Sequence, residues 1–138
     1  MTYAANNIFA KIIRGEAPCA KVYEDAHALA FMDIMPTTEG HTLVIPKEPA
    51  ESLFDLSASG AQHLIVTTQK VAQAVKKAFD APGIMLMQLN GAAAGQSVFH
   101  IHFHIIPRRA GLDITIHGRT MADRKVLEKH ASQIRALL

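Results

Sequence analysis

Three histidines at every second position, His100, His102 and His104, are the residues of this chain best placed to do chemistry. In the run His100-Ile101-His102-Phe103-His104-Ile105-Ile106 polar and apolar side chains alternate. An extended strand puts the three imidazoles on one face and Ile101, Phe103 and Ile105 on the other. The apolar face is expected in the core. The imidazole face needs a cleft or hydrogen-bond partners, because each buried and unsatisfied ring carries a desolvation cost.

Three readings compete for this pattern. A shared metal ion is opposed by distance: at about 3.3 Å per residue, His100 and His104 lie roughly 13 Å apart along a strand, too far for one ion with bonds near 2 Å. Two of the three could chelate if His41, His63 or His117 converged on them, but no compact Cys or Glu cluster completes a shell. A water-facing strand with incidental histidines is opposed by the strict period beside a Gly-rich loop and a serine. Nucleophilic catalysis fits best, since a neutral imidazole with a pKa of about 6.5 is a competent nucleophile near neutrality. Its flanking rings can hold a phosphate or protonate a leaving group, and a backbone contact to one ring nitrogen selects the other for attack. That division of labour suits phosphoryl chemistry without a metal or an organic cofactor. Just upstream, Gly95-Gln96-Ser97 offers a flexible backbone, an amide and a hydroxyl able to meet phosphate oxygens.

The elements that must position these groups follow from periodicity. Asn6 or Asn7 caps a short helix in which Ile8, Phe9, Ile12 and Ile13 share a face, and Gly15 stops it. AKVYED, ALAFMDI and HTLVIPK read as three strands of an antiparallel meander. Ser57 opens the longest helical pattern, with Ala61, Leu64, Ile65, Thr68, Val71, Ala72, Val75 and Phe79 recurring at three- and four-residue steps. GIMLMQLN and SVFHIHFHIIP read as the last two strands, separated by the small-residue loop from Gly91 to Gly95, and Val126, Leu127, Ile134, Leu137 and Leu138 mark a C-terminal helix. The expectation is an α+β domain with a five-stranded antiparallel sheet, one long helix on a face, and a short helix at each end of the chain.

Composition sets the outer bounds. The 138 residues, 49% apolar and 19% charged, describe one globular domain over 1–138 rather than a disordered chain. A formal charge of +2 with no run of like charges points away from nucleic acid as partner. No apolar run reaches membrane-spanning length and no signal-peptide pattern opens the chain, so a membrane partner is not expected. The lone cysteine, Cys19, is expected to be a small buried side chain, and a reducing, cytoplasmic location is the natural reading.

At this point GQSVFHIHFHII resembles the signature of the histidine-triad (HIT) family, His-φ-His-φ-His-φ-φ with φ apolar, preceded by Gly-Gln-Ser. NIFAKIIRGEAPCAKVYED, ALAFMDIMPTTEGHTLVIPK and MQLNGAAAGQS resemble the rest of the family core in order and spacing, over residues 6–109, with 110–138 as an extension. The resemblance implies a HIT-like fold, a homodimer whose sheets join, and nucleotidyl hydrolase or transferase activity through a covalent nucleotidyl-histidine. Substrates implied are purine nucleotide conjugates such as adenosine phosphoramidates, aminoacyl adenylates and dinucleoside polyphosphates. Carried over residue by residue, His102 is the nucleophile, His104 contacts the phosphate and His100 orients the nucleophile. Ser97, Gln96 and Gly95 lie near the scissile phosphate, His41 completes the polar wall and Asn90 supports the loop. Asp33 holds the ribose hydroxyls, as a carboxylate accepting two hydrogen bonds can, and Phe9, Ile12, Phe31 and Ile34 form the base-binding walls. Without the resemblance Asp33 reads as a turn residue before Pro36, and His27, His63, His117 and His130 as surface residues.

Two departures accompany the match. Where some members carry a Cys-x-x-Cys zinc pair this chain has Asn7 and Ala10, so a structural zinc is not expected. The chain has no Trp and continues into a C-terminal helix, resembling the bacterial branch rather than the one with a Trp-containing tail. A nucleotide-binding or scaffolding module without useful turnover is the rival from a different class.

Overall fold

A computed structural model describes residues 2–110 and 120–138. His117 and the first part of the expected extension lie outside the described residues. The chain runs α1 (Ile8–Ile13), β1 (Lys21–Glu24), β2 (Ala28–Met32), β3 (Thr42–Pro46), α2 (Ala58–Ala78), β4 (Gly83–Met87), β5 (Phe103–Arg108) and α3 (Arg124–Arg135). The strands form one antiparallel sheet in the order β1-β2-β3-β5-β4. The α+β architecture is therefore the one the sequence calls for.

Local chemistry explains where the elements start. The Asn7 side chain accepts the Ala10 N–H at 2.9 Å and caps α1, Ser57 accepts the Gly60 N–H at 2.9 Å and caps α2, and Asp123 caps α3 through Lys125. Asp25 makes the β1–β2 turn by accepting the N–H groups of His27 and Ala28, both at 2.8 Å. Gly40, two residues before β3, has φ +87°, and a Cβ there would lie 2.7 Å from the Phe79 ring, so no other residue fits.

Alternation along the strands divides the interior in two. Ala30, Met32, Val44, Ile101 and Ile105 join the larger apolar cluster with Leu64, Val71 and Val75 of α2 and Leu127, Ala131 and Ile134 of α3. Leu29, Phe31, Leu43 and Ile45 point the other way and meet Phe9 of α1, with Ile12 and Ile13 beside them.

Five expectations need correction. The last strand begins only at Phe103, so Ser97 to His102 are not part of the ladder; the Ile101 amide and the His100 and His102 rings find partners elsewhere, described below. Ile65 is 47% exposed, because Leu64, Val71 and Val75 take the sheet-facing stripe and leave Ile65 with Val66 on the flank next to β4. Val126, Leu137 and Leu138 are exposed, since the buried stripe of α3 is Leu127, His130, Ala131 and Ile134. His130 is thus buried rather than on the surface, and its ring meets the Phe79 ring edge-on at 5.0 Å. His27 and His63 stack on one another at 3.7 Å with His27 in solvent. Cys19 is half-buried, and burial pushes its thiol upward, away from the reactive thiolate.

Candidate active site

The stretch leading into β5 is held by the segment after β3 rather than by the sheet. Ile101 N–H donates to the Ala50 carbonyl at 2.9 Å. Ile101 then points into the larger cluster, so the neighbouring histidines face the α1 side. On that side each ring has a defined hydrogen-bond partner, and those partners fix where its proton sits.

His100 is 1% exposed, and its Nε2 lies 2.7 Å from the Pro46 carbonyl, which can only accept. Nε2 therefore carries the proton. Nδ1 offers a lone pair, to which the Tyr3 hydroxyl donates at 2.5 Å. Burial holds the His100 pKa below the ordinary histidine value, against the opposing pull of the Pro46 carbonyl, so the ring stays neutral. His102 Nδ1 is 2.8 Å from the His100 carbonyl oxygen and must donate to it. The lone pair of a neutral His102 then resides on Nε2.

The third ring belongs to a relay that begins on the backbone. Thr37 N–H donates to His41 Nδ1 at 3.0 Å, so His41 holds its proton on Nε2. That nitrogen sits 2.9 Å from His104 Nδ1 and 3.3 Å from Asp33 Oδ2. His104 Nδ1 accepts, which leaves the His104 proton on Nε2 as a donor. The Asp33–His41 contact is for the same reason a neutral N–H on a carboxylate, not an ion pair. The geometry is closed by the chain itself: Asp33 N–H donates to the His41 carbonyl at 3.0 Å, and Thr38 ties the loop to β5 through the Pro107 carbonyl at 2.9 Å.

Asp33, His41 and His104 bring their ligand atoms within 4.8 Å of one another, a grouping that by spacing alone resembles a metal site. Its protonation opposes that role. A metal takes a lone pair from imidazole, and His41 Nε2 bears a hydrogen for as long as Thr37 N–H occupies Nδ1. The position of the family's zinc pair fits no better: Ala10 has no donor atom, and the Asn7 amide already caps α1 and donates to Tyr3 Oη at 2.9 Å.

An apolar wall adjoins the rings. Phe9 meets His102 edge-on at 4.9 Å and Phe31 at 5.4 Å, and Ile12 packs in the same cluster. Ile34 stands apart from that cluster and is 47% exposed. The His102 and His104 rings lie 4.9 Å apart.

The loop before the triad differs from expectation in one respect. Gln96 is buried and spends its amide on the chain: Nε2 donates to the Glu51 and Val98 carbonyls at 2.7 and 3.0 Å, and Oε1 accepts the Gly91 N–H at 2.7 Å. It shapes the loop instead of reaching toward a phosphate. Gly95 takes φ +100° to turn the chain, and Ser97 emerges exposed beyond it. Asn90 also stitches, accepting the Leu53 N–H at 2.8 Å and exchanging amide hydrogen bonds with Gln88. Asp33 combines two roles, since Oδ1 accepts the Met35 N–H at 2.9 Å as in a turn while Oδ2 faces His41.

Tyr3 and Thr37 escape a sequence reading altogether. Thr37 acts through its main chain, and Tyr3 carries no periodic or spacing signal linking it to residue 100.

Comparison with known proteins gives a consistent picture. The family model described as the HIT domain matches residues 14–111. A Bacillus subtilis protein called Protein hit is 49% identical over 108 residues, 78% of this chain and 74% of that one. A Schizosaccharomyces pombe protein named adenosine 5′-monophosphoramidase is 45% identical over 101 residues, 73% of each. The crystal structure of a Hit-like protein of Bartonella henselae, described as involved in cell-cycle regulation, superposes with a TM-score of 0.92 at 50% identity, covering 100% of both chains.

Proposed function

The chain belongs to the HIT-domain family, and from that premise we propose that it is a nucleotidyl hydrolase that attacks the α-phosphorus of a purine nucleotide conjugate with His102. The observation that carries this reading is the His102 Nδ1–H donated to the His100 carbonyl at 2.8 Å. It fixes the tautomer whose Nε2 lone pair is the nucleophile and keeps the ring oriented. In the first step Nε2 forms a bond to phosphorus as the bond to the leaving group breaks. His104, with its proton on Nε2, donates a hydrogen bond to a phosphate oxygen and keeps that proton, while the departing amine takes its proton from solvent. Water then hydrolyses the phosphorus–nitrogen bond, releasing the nucleoside monophosphate and restoring neutral His102. Asp33 holds the ribose hydroxyls, Phe9, Ile12, Phe31 and Ile34 flank the base, and Ser97 and the Gly95 backbone meet the phosphate. Support for an adenosine phosphoramidate as substrate comes from the activity named for the fission-yeast relative.

We place the activity in a homodimer of single-domain chains. β4 ends the sheet, and a groove of about 560 Å³ beside it is lined by Ile65, Val66, Ala72, Ile84 and Leu86. A strand edge that no other described strand pairs, next to an apolar flank, suits a second copy that continues the sheet. A single species near 15.0 kDa in sedimentation at micromolar concentration overturns this assembly. Among the described residues no helix is long and apolar enough to cross a membrane.

The decisive experiment for the chemistry is a single-turnover quench with phosphorus-labelled nucleotide. An acid-labile, base-stable label mapped to His102 is the expected result. Turnover with no trapped label, or a label elsewhere, rejects the nucleophile, and binding without turnover favours a nucleotide-holding module.

A further inference from the structure

His100 makes no direct claim on a reacting atom, yet its carbonyl is what holds the nucleophile. What holds His100 therefore matters to the reaction. Its ring is clamped from two sides, by the Pro46 carbonyl at Nε2 and by the Tyr3 hydroxyl at Nδ1. Tyr3 is in turn fixed by Asn7, whose Nδ2 donates to the phenol oxygen at 2.9 Å and to the Ala4 carbonyl at 2.8 Å. The same Asn7 caps α1, the helix that carries Phe9 against His102. A continuous chain of hydrogen bonds thus runs from the segment before α1 to the nucleophile.

We propose that Tyr3 is a positioning residue for the reaction, acting through His100; the proposal rests on the reading of His102 as nucleophile. The Tyr3 O–H donates to the His100 Nδ1 lone pair inside a site where the ring is 1% exposed. Without that donor the lone pair is left buried, and a group in that state draws the ring and its peptide toward another partner. The His100 carbonyl moves with the peptide, and the His102 Nδ1–H···O alignment degrades. The residues at the zinc-pair positions are consistent with this role. Asn7 and Ala10 supply no thiolate, and a hydrogen-bonded tyrosine immobilises the first histidine of the triad without a metal.

The test compares Tyr3→Phe, which removes only the hydroxyl, with Tyr3→Ala, which also removes the ring. Both are assayed on an adenosine phosphoramidate below the measured thermal midpoint of each variant. Misalignment of a nucleophile acts on the transition state more than on ground-state binding, so Tyr3→Phe should lower kcat roughly tenfold and leave KM unchanged. Tyr3→Ala should add little beyond that. In the free protein, the His100 Nδ1 resonance in a long-range nitrogen–proton correlation should move downfield in Tyr3→Phe, toward that of an unbonded imidazole nitrogen. Wild-type kcat in Tyr3→Phe, an unmoved Nδ1 resonance, a change confined to KM, or a loss seen only in Tyr3→Ala each overturns the proposal. Activity in His102→Ala instead overturns the underlying nucleophile, while the resonance still reports whether Tyr3 holds His100.

Discussion

On one face of the sheet, Ile101, Phe103 and Ile105 join the cluster covered by α2 and α3, and those three side chains have no proton to place. One residue along in each case, His100, His102 and His104 face the side of α1, where each ring nitrogen described above has a fixed donor or acceptor role. The two faces are interleaved in sequence, yet they tolerate different errors. An apolar contact is graded and non-directional, so its loss reduces stability by an amount set by volume. A tautomer is all or none, so its loss removes an activity while the fold persists.

The largest effect expected from this contrast is at His102. His102→Ala should lower turnover at least about a thousandfold while the thermal midpoint stays close to wild type. A large drop in that midpoint would show the histidine face to be structural as well and erase the distinction. On the opposite face Ile105→Ala should cost about 2–5 kcal/mol in urea denaturation, with kcat of the folded fraction retained. If kcat fell with stability still intact, the faces would be coupled.

Asp33→Ala is smaller and sharpens the chemistry of the first face. KM for the nucleotide should rise about tenfold, equivalent to about 1.4 kcal/mol, and a 2′-deoxy substrate should lose the distinction between variant and wild type. Equal losses on ribo- and deoxynucleotide would assign Asp33 to His41 rather than to the ribose.

The mildest prediction concerns acid and sets one buried histidine from each face side by side. Burial holds His100 and His130 below the ordinary histidine value. Below about pH 6.5 the unfolded chain takes protons on these residues that the native rings refuse. The unfolded state then binds more protons, so stability declines as pH falls. Thermal midpoints between pH 7 and pH 5 should decrease, and the decrease should be shallower in His130→Leu. A midpoint that rises on acidification, or a slope that the substitution leaves unaltered, contradicts the assignment.

Much of this was legible in the sequence because alternation is a property of the strand itself. The pattern at 100–106 separates the core residues from the imidazoles, and Asn7 and Ser57 announce their helices by chemistry confined to one turn. Legibility fails where a partner is distant or lies on the main chain. The strand start at Phe103 is not legible because the residues before it bond to Ala50 and Pro46, which no periodicity reports. Gln96 reads as a phosphate ligand until Gly91, Glu51 and Val98 are seen to use its amide. His41 converges with His104 only because β3 and β5 are neighbours in the sheet. Helical spacing in turn cannot say how wide the buried stripe of α2 is, and Ile65 falls beyond it.

Three of the groups that set protons in the site are peptide groups: the Thr37 N–H and the carbonyls of Pro46 and His100. Every residue except proline supplies the first, and every residue supplies the others. Side-chain scanning at positions 37 and 46 would therefore report little, and drift in their identity need not disturb the chemistry so long as the backbone path is kept. Part of the catalytic instruction is thus inherited through the shape of the chain, and replacing an amide by an ester is the kind of alteration that reaches it.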